Sequence, residues 1–313
     1  MVQSLFRAPL ALSIRWLNRL FHVMECAISH DDQEPIRHVP VFIIGAPRSG
    51  STLLYQVMTE HYDFGYLSNL HCRFYGAPSL VERLLDPLKA RQPSSYTSNH
   101  GMTQGKAAPS ECGGYWYRFF RRKPQYVPLE EADPPKLRQL RVSVRALGNA
   151  FGKPILFKNM NCALRLMPTA QALPEALFIV THRNIIDNAC SLLKVRQQVY
   201  GDYIHWWSME PPTVEQLKGL SPHEQVIEQI RNIDNLIETH SQIIGRDRFI
   251  HVQYEQFCDD VHGTLSEFDL FFEHHDVDIK PRDVEVPGHF ERLATVPIES
   301  ELYQQMVQYA HSD

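Results

Sequence analysis

Residues 41–54 read VFIIGAPRSGSTLL, and no other stretch constrains the fold as strongly. An apolar run rich in β-branched residues ends at Gly45, a turn carries Arg48 between two glycines, and Ser51 and Thr52 open the next apolar segment. The run lacks polar alternation, so it reads as a strand buried on both faces, the kind that parallel sheets contain. Leu53, Leu54, Val57 and Met58 then recur at helical spacing. A strand that feeds a helix through such a turn exposes unpaired N–H groups at the positive end of a helix dipole, which favours an anion. Gly45 and Gly50 keep the G-x-x-x-x-G spacing of nucleotide phosphate loops, but Ser51 and Thr52 follow where those loops carry lysine and a hydroxyl. That lysine and a Mg²⁺ ion serve the outer phosphates of a nucleoside triphosphate. Here the full positive charge of the turn is Arg48, so the expected ligand is an anion held without a metal.

Further strands are expected at residues 154–158, 176–181 and 249–254, with helices over residues 183–200 and from residue 265 to 272. Ser221-Pro-His-Glu224 has the form of a capping box with proline at the first helical position, and Val226, Ile230, Ile233 and Ile237 give the stripe behind it. Strands alternating with helices imply an α/β fold: a mostly parallel central sheet with helices on both faces. We expect one domain over residues 35–313, preceded by an amphipathic helical extension over residues 1–34. Residues 66–136 are rich in aromatics, proline and glycine without a clear period, and read as loops and short helices over the active face.

A formal charge of −5 argues against a non-specific nucleic-acid coat. The six cysteines form no C-x-x-C pair and no metal-ligand spacing, which suits a reducing compartment and mostly buried thiols. Residues 5–24 are apolar, but Arg7, Arg15 and Arg19 interrupt them before a run of roughly 18 uncharged residues is reached. Leu10, Ile14, Leu17 and Phe21 instead mark an amphipathic helix. It is expected to pack on the domain or on a second subunit, which leaves a homodimer open, with peripheral membrane contact as the alternative.

A second element follows the third strand, where Arg183, Asp187 and Ser191 are spaced to stand at the start and along one face of a helix. Arginine with a hydroxyl suits a phosphate monoester. Together, residues 45–52 (GAPRSGST) and residues 183–191 (RNIIDNACS) resemble the 5′-phosphosulfate loop and the 3′-phosphate motif of sulfotransferases that use 3′-phosphoadenosine 5′-phosphosulfate. Leu156-Phe-Lys158, Tyr254-Glu-Gln-Phe257 and Gly263-Thr-Leu-x-x-Phe268 resemble further segments of that family, so the resemblance spans residues 39–275.

The resemblance implies a fold related to P-loop proteins and in-line transfer of a sulfuryl group, with no metal. It implies that Arg48, Ser49, Gly50, Ser51 and Thr52 hold the 5′-phosphosulfate, that Arg183 and Ser191 hold the 3′-phosphate, that Asp187 orients Arg183, and that Tyr254 lies near the adenine. Arg48 and Lys158 are the cations expected to stabilise charge in the transition state. The glutamate that the protein-tyrosine branch uses as base has no counterpart near residues 65–70, so Glu111 is the candidate, with His71 and His100 behind it. Arg292 in the C-terminal arm is a further candidate contact. The acceptor is expected to be a small molecule, a lipid or a carbohydrate, since Tyr200, Tyr203, Trp206, Trp207 and the aromatics of residues 66–120 suit flat or apolar surfaces. A cytoplasmic enzyme is the expected setting; a nucleotide kinase and an inactive nucleotide-binding scaffold are the alternatives.

Overall fold

The computed structural model describes residues 16–23, 25, 34–85, 94–97, 101, 103–292 and 298–312. Its centre is a five-stranded sheet of order β2-β3-β1-β4-β5, formed by β1 (Pro40–Gly45), β2 (Gly65–Tyr66), β3 (Ile155–Lys158), β4 (Leu177–His182) and β5 (Phe249–Gln253). Every ladder between these strands is parallel. β1 lies between β3 and β4, with Val41 opposite both Leu156 and Leu177 and Gly45 opposite Thr181.

The lack of polar alternation in β1 has a direct structural cause. Its alternate side chains supply two separate cores: Phe42 and Ile44 pack with Phe157, Phe178 and Trp116, while Val41 and Ile43 pack with Leu156, Ile179 and Phe268. Residues 41–44 are fully buried as a result. The connection after β1 runs to the β2–β3 side of the sheet and the one after β4 runs to β5 on the other, so the carboxyl ends of β1 and β4 mark the switch point where open α/β sheets place a ligand.

α1 (Ser51–His61) follows β1, and α2 (Asn69–Arg73) and α3 (Pro78–Leu85) follow β2. α4 (Pro134–Phe151) leads into β3, α5 (Ile185–Tyr200) follows β4, and α6 (Pro222–Ile244) precedes β5. α7 (Tyr254–Asp259), α8 (Val261–His274) and α9 (Ser300–Ala310) complete the chain. The capping box at Ser221 forms as its sequence implies, with Glu224 accepting from the Ser221 N–H at 2.9 Å.

Several elements were not legible in the sequence, among them β2, α4 and α9. β2 has two residues, too few to show a period. α4 opens on Pro134 and Pro135, which resemble a loop but are tolerated in a first turn, and it buries Leu137, Leu140, Val144 and Leu147. α9 buries mainly Met306 and so carries a thin stripe. Tyr254 starts α7 instead of ending β5.

Residues 16–23 are helical, while Leu10 and Ile14 lie outside the described residues. Asn18 holds this helix to the domain, donating to the Arg73 carbonyl at 3.1 Å and accepting from the Gly76 N–H at 2.7 Å. Glu25 accepts from Arg118 at 2.7 Å and from the Ser79 hydroxyl at 2.7 Å. Trp16, Leu20 and Val23 face outward, each more than half exposed. Among the described residues, no helix is long and apolar enough to cross a membrane.

Candidate active site

The turn after β1 takes a shape set by its glycines. Gly45 has φ +146°, and a Cβ there would meet the Thr181 carbonyl oxygen at 2.4 Å. Gly50 has φ +89°, and its Cβ would sit 2.2 Å from the Tyr254 ring. Between them Arg48 also takes a positive φ of 69°, rare for a residue with a side chain. No side chain caps α1, so its first N–H groups stay available to an anion. Gly50→Ala is expected to lower the unfolding free energy by roughly 1–3 kcal/mol, through left-handed strain and displacement of the Tyr254 ring. Urea denaturation of the variant beside the wild type measures it.

The two arginine elements interlock. Arg48 Nε donates to Ser191 Oγ at 3.0 Å, and Arg183 donates to the Arg48 carbonyl at 3.3 Å. The Arg183 guanidinium lies 4.8 Å over the Tyr254 ring. Arg48 and Ser191, expected from the resemblance at separate ends of one ligand, are also bonded to each other directly. Burial, then the neighbouring Arg183 charge, pulls the Arg48 guanidinium below its ordinary pKa. Two cations held this close favour occupation by an anion with more than one charge.

Glu255, which the sequence reading passed over, sets the turn between β4 and α5. Its carboxylate accepts from the Asn184 N–H at 2.9 Å and from Gln253 Nε2 at 2.5 Å. Asn184 in turn caps α5, accepting from the Ile186 N–H at 3.0 Å and from the Asp187 N–H at 3.3 Å. The start of α7, just beyond β5, thereby fixes how the chain leaves β4 at Arg183. The signal was the charge beside Tyr254 at a strand end.

Lys158, at the tip of β3, is 3% exposed, donates to Thr52 Oγ1 at 3.1 Å and forms an ion pair with Glu111. Glu111 is held from behind, its carbonyl accepting from Asn159 Nδ2 at 3.1 Å. The loop hydroxyl, the lysine and the carboxylate therefore form one contiguous cluster. Two loop hydroxyls are committed elsewhere: Ser49 Oγ bonds Thr181 Oγ1 at 2.6 Å in a buried contact, and Ser51 Oγ donates to Met160 Sδ at 3.3 Å. Ser49 thus ties the loop to β4.

These groups border a cavity of about 500 Å³. Arg48, Gly50, Ser51, Thr52, Glu111, Lys158, Arg183 and Tyr254 all line it. Gln56, Tyr96, Thr97 and Phe290 line it too, linked by a Gln56–Thr97 hydrogen bond and a Tyr96–Phe290 ring contact, as do Gln125, Met160, Asn161 and the 207–209 segment. The 207–209 segment is held by the buried Gln229, which donates to the carbonyls of Trp207 at 3.1 Å and Met209 at 2.7 Å. Ser208 between them holds a positive φ of 72°.

Several candidates fall away. His71 is 1% exposed, bonded to Ser68 Oγ at 2.8 Å and paired with Glu82 at 3.2 Å, so it cannot reach an acceptor. His100 lies outside the described residues. Arg292 pairs with Asp259 at the surface, and the C-terminal arm supplies Phe290 and Glu291 to the cavity instead. Of the aromatics expected at the site, Tyr115, Trp116, Phe119 and Phe120 belong to the core, whereas Tyr96 and Trp207 reach the cavity. No group of three His, Cys, Asp or Glu among the described residues is placed to hold a metal ion.

Behind Arg183, His182 and His251 stack at 5.1 Å with their ring nitrogens 2.8 Å apart, and Asp234 lies 3.9 Å from His182. Burial pushes His182 down to about 4 and Asp234 up to about 7. The Asp234 Oδ1 is sealed without a hydrogen-bond partner, although a third of the side chain still meets water. A carboxyl whose folded pKa is raised contributes stability below its unfolded pKa and loses it as pH rises through the folded value. Asp234→Asn is therefore expected to gain melting temperature over the wild type as pH rises from about 4 to about 7, with little difference near pH 4 and no further gain above about pH 8. Residual solvation makes the slope shallower than for a fully buried acid.

The sulfotransferase family model matches residues 40–268, well over half of the chain. Among solved structures, the sulfotransferase STF9 from Mycobacterium avium superposes with a TM-score of 0.55 at 15% identity, covering 94% of this chain and 74% of that one. The sulfotransferase STF1 from Mycobacterium tuberculosis H37Rv gives a TM-score of 0.52 at 15% identity, covering 93% and 76%. At that identity the likeness is one of fold. No curated protein sequence matches the chain. By its family-model match, the chain belongs to the sulfotransferase family.

Proposed function

We propose that this protein moves a sulfuryl group from 3′-phosphoadenosine 5′-phosphosulfate to an acceptor hydroxyl or amine, by in-line displacement and without a metal. One observation carries the reading: Arg48 and Arg183 line the same cavity as the Thr52–Lys158–Glu111 group, with Ser191 behind them, bonded to Arg48. Arg183 and Ser191 hold the 3′-phosphate, and the uncapped start of α1 holds the 5′-phosphosulfate through the backbone N–H groups of Gly50, Ser51 and Thr52 and the Thr52 hydroxyl. Arg48 lies between them and serves both anions. Ser49 acts through the loop it secures. Tyr254 supports Gly50 and Arg183, and with Phe290 borders the space for adenine.

Transfer forms a bond from the acceptor oxygen or nitrogen to sulfur and breaks the bond from sulfur to the bridging phosphate oxygen. Lys158 and Arg48 stabilise the charge that gathers on that oxygen and on the sulfonate. Glu111 takes the acceptor's proton. Because Lys158 contacts both Thr52 and Glu111, one side chain sets the distance between the donor loop and the base.

Partners follow from the same reading. The acceptor is a small molecule, a lipid or a carbohydrate that fits in the cavity lined by Tyr96 and Trp207. The setting is cytoplasmic, with no nucleic-acid partner. The outward ridge of Trp16, Leu20 and Val23, with Arg19 beside it, is the surface available for peripheral membrane contact or for a homodimer.

Calorimetric titration with 3′-phosphoadenosine 5′-phosphate, followed by a transfer assay against phenols, sugars and lipid alcohols, tests the proposal. Micromolar or tighter binding of the bisphosphate with transfer to a panel member is expected. Stabilisation by ATP with Mg²⁺ and none by the bisphosphate would replace it with a kinase. Tight bisphosphate binding without transfer to any acceptor would leave a nucleotide-binding scaffold.

A further inference from the structure

The segment that delivers Glu111 is bound to α2 along its length. The Asn69 N–H donates to the Ala108 carbonyl at 3.0 Å, the Ser110 N–H donates to the Leu67 carbonyl at 2.8 Å, and Ser68 bridges Pro109 in antiparallel fashion. This pairing sets Cys72, on α2, beside Ser110 and Cys112. The Cys72 sulfur lies 3.1 Å from Ser110 Oγ and also contacts the thiol and the backbone N–H of Cys112. Both cysteines are free thiols. Cys112 has a positive φ of 46° and begins the short helix Gly113–Trp116, one residue after the candidate base.

The two thiols are not equivalent. Hydrogen bonds from the Cys112 thiol, the Ser110 hydroxyl and the Cys112 N–H favour a Cys72 thiolate and lower its pKa against the effect of burial. Burial, followed by the Cys72 contact, keeps Cys112 protonated. Cys72 is partly buried and Cys112 is buried, so an oxidant meets Cys72 first. Such an arrangement gives an attacking thiolate and a neighbouring thiol that can resolve the product. Cys162, Cys190 and Cys258 are buried, and burial pushes all three thiols up.

We propose that Cys72 and Cys112 form a redox modification site, oxidised to a disulfide by hydroperoxides, which controls the position of Glu111. The Cys72 thiolate attacks the peroxide oxygen, giving a sulfenic acid and releasing hydroxide from hydrogen peroxide. The Cys112 thiol then attacks the Cys72 sulfur, forming the disulfide while its proton leaves with the displaced hydroxyl as water, and the proton that Cys72 shed on becoming a thiolate neutralises the hydroxide. Two thiols are oxidised and one peroxide is reduced to two waters. A dithiol reductant reverses the change. Closing the sulfurs to about 2.05 Å draws Cys112 toward α2. Glu111 is the adjoining residue and is held to Asn159 and Lys158, so its carboxylate shifts relative to Thr52.

The experiment treats the full-length protein with hydrogen peroxide, blocks remaining thiols with N-ethylmaleimide and maps peptides by mass spectrometry without reduction. A peptide linking Cys72 to Cys112, with Cys162, Cys190 and Cys258 still alkylated after denaturation, is expected. The Cys112→Ser variant should accumulate a dimedone-reactive sulfenic acid at Cys72. If that variant forms the sulfenic acid while the wild type makes no Cys72–Cys112 link, or if Cys72 does not react with peroxide in either protein, the proposal is wrong. The effect on turnover rests on the sulfotransferase reading, whereas the cross-link does not. In an active preparation, oxidation should lower kcat roughly tenfold or more, as expected for a displaced catalytic group. Dithiothreitol should restore it, and Cys72→Ser should keep basal activity and resist peroxide. A linked protein with unchanged kcat would overturn the control of Glu111.

Discussion

Replacing Glu111 by Gln is expected to lower kcat by roughly 10²- to 10⁴-fold, the range that a positioned general base contributes. Glutamine keeps the shape and can still accept from Lys158, so the ion pair with Lys158 becomes a neutral hydrogen bond. Affinity for 3′-phosphoadenosine 5′-phosphate should therefore stay within about threefold of the wild type, well under the tenfold that 1.4 kcal/mol gives. Measuring both by transfer kinetics and calorimetry separates the loss of a base from the collapse of the site. A Gln variant with wild-type kcat would move the base to another group on the cavity wall.

The second large effect is expected at Arg183. Its guanidinium holds the Arg48 carbonyl and stacks on Tyr254, so Arg183→Ala removes a charge and a support together. Truncating one partner of a buried, hydrogen-bonded charge pair costs about 2–5 kcal/mol, which corresponds to roughly 30- to 3,000-fold weaker binding of the bisphosphate nucleotide. Arg183→Lys should fall between, because a point charge cannot replace the planar fork. Calorimetric titration of both variants decides it. Unchanged affinity in the alanine variant would remove the 3′-phosphate from this position and leave Arg48 as the sole anchor.

Much of this arrangement was legible because it depends on chain-local chemistry. An apolar run without alternation marked β1 as a strand buried on both faces, and the capping box at Ser221 fixed the start of α6. Arg48, Lys158 and Arg183 were identifiable because each stands at or just beyond the end of a strand, where parallel sheets gather their ligands. The missing parts depend on contacts distant in sequence. Nothing local in residues 45–52 indicates that Ser49 is taken up by Thr181, or that Arg48 reaches Ser191. His71 looked available until the fold placed Glu82 against it. Glu255 escaped notice because its partners are the backbone N–H of Asn184, on another strand–helix turn, and its near neighbour Gln253.

The placement of β1 has a further consequence. Its residues are shared by both cores, so the turn it carries can scarcely be altered without disturbing the whole interior. Tyr96 and Trp207, which line the cavity, belong to connecting segments outside the sheet. Under the proposed function, exchange of those segments can change acceptor preference while the turn after β1 keeps its place between the two cores.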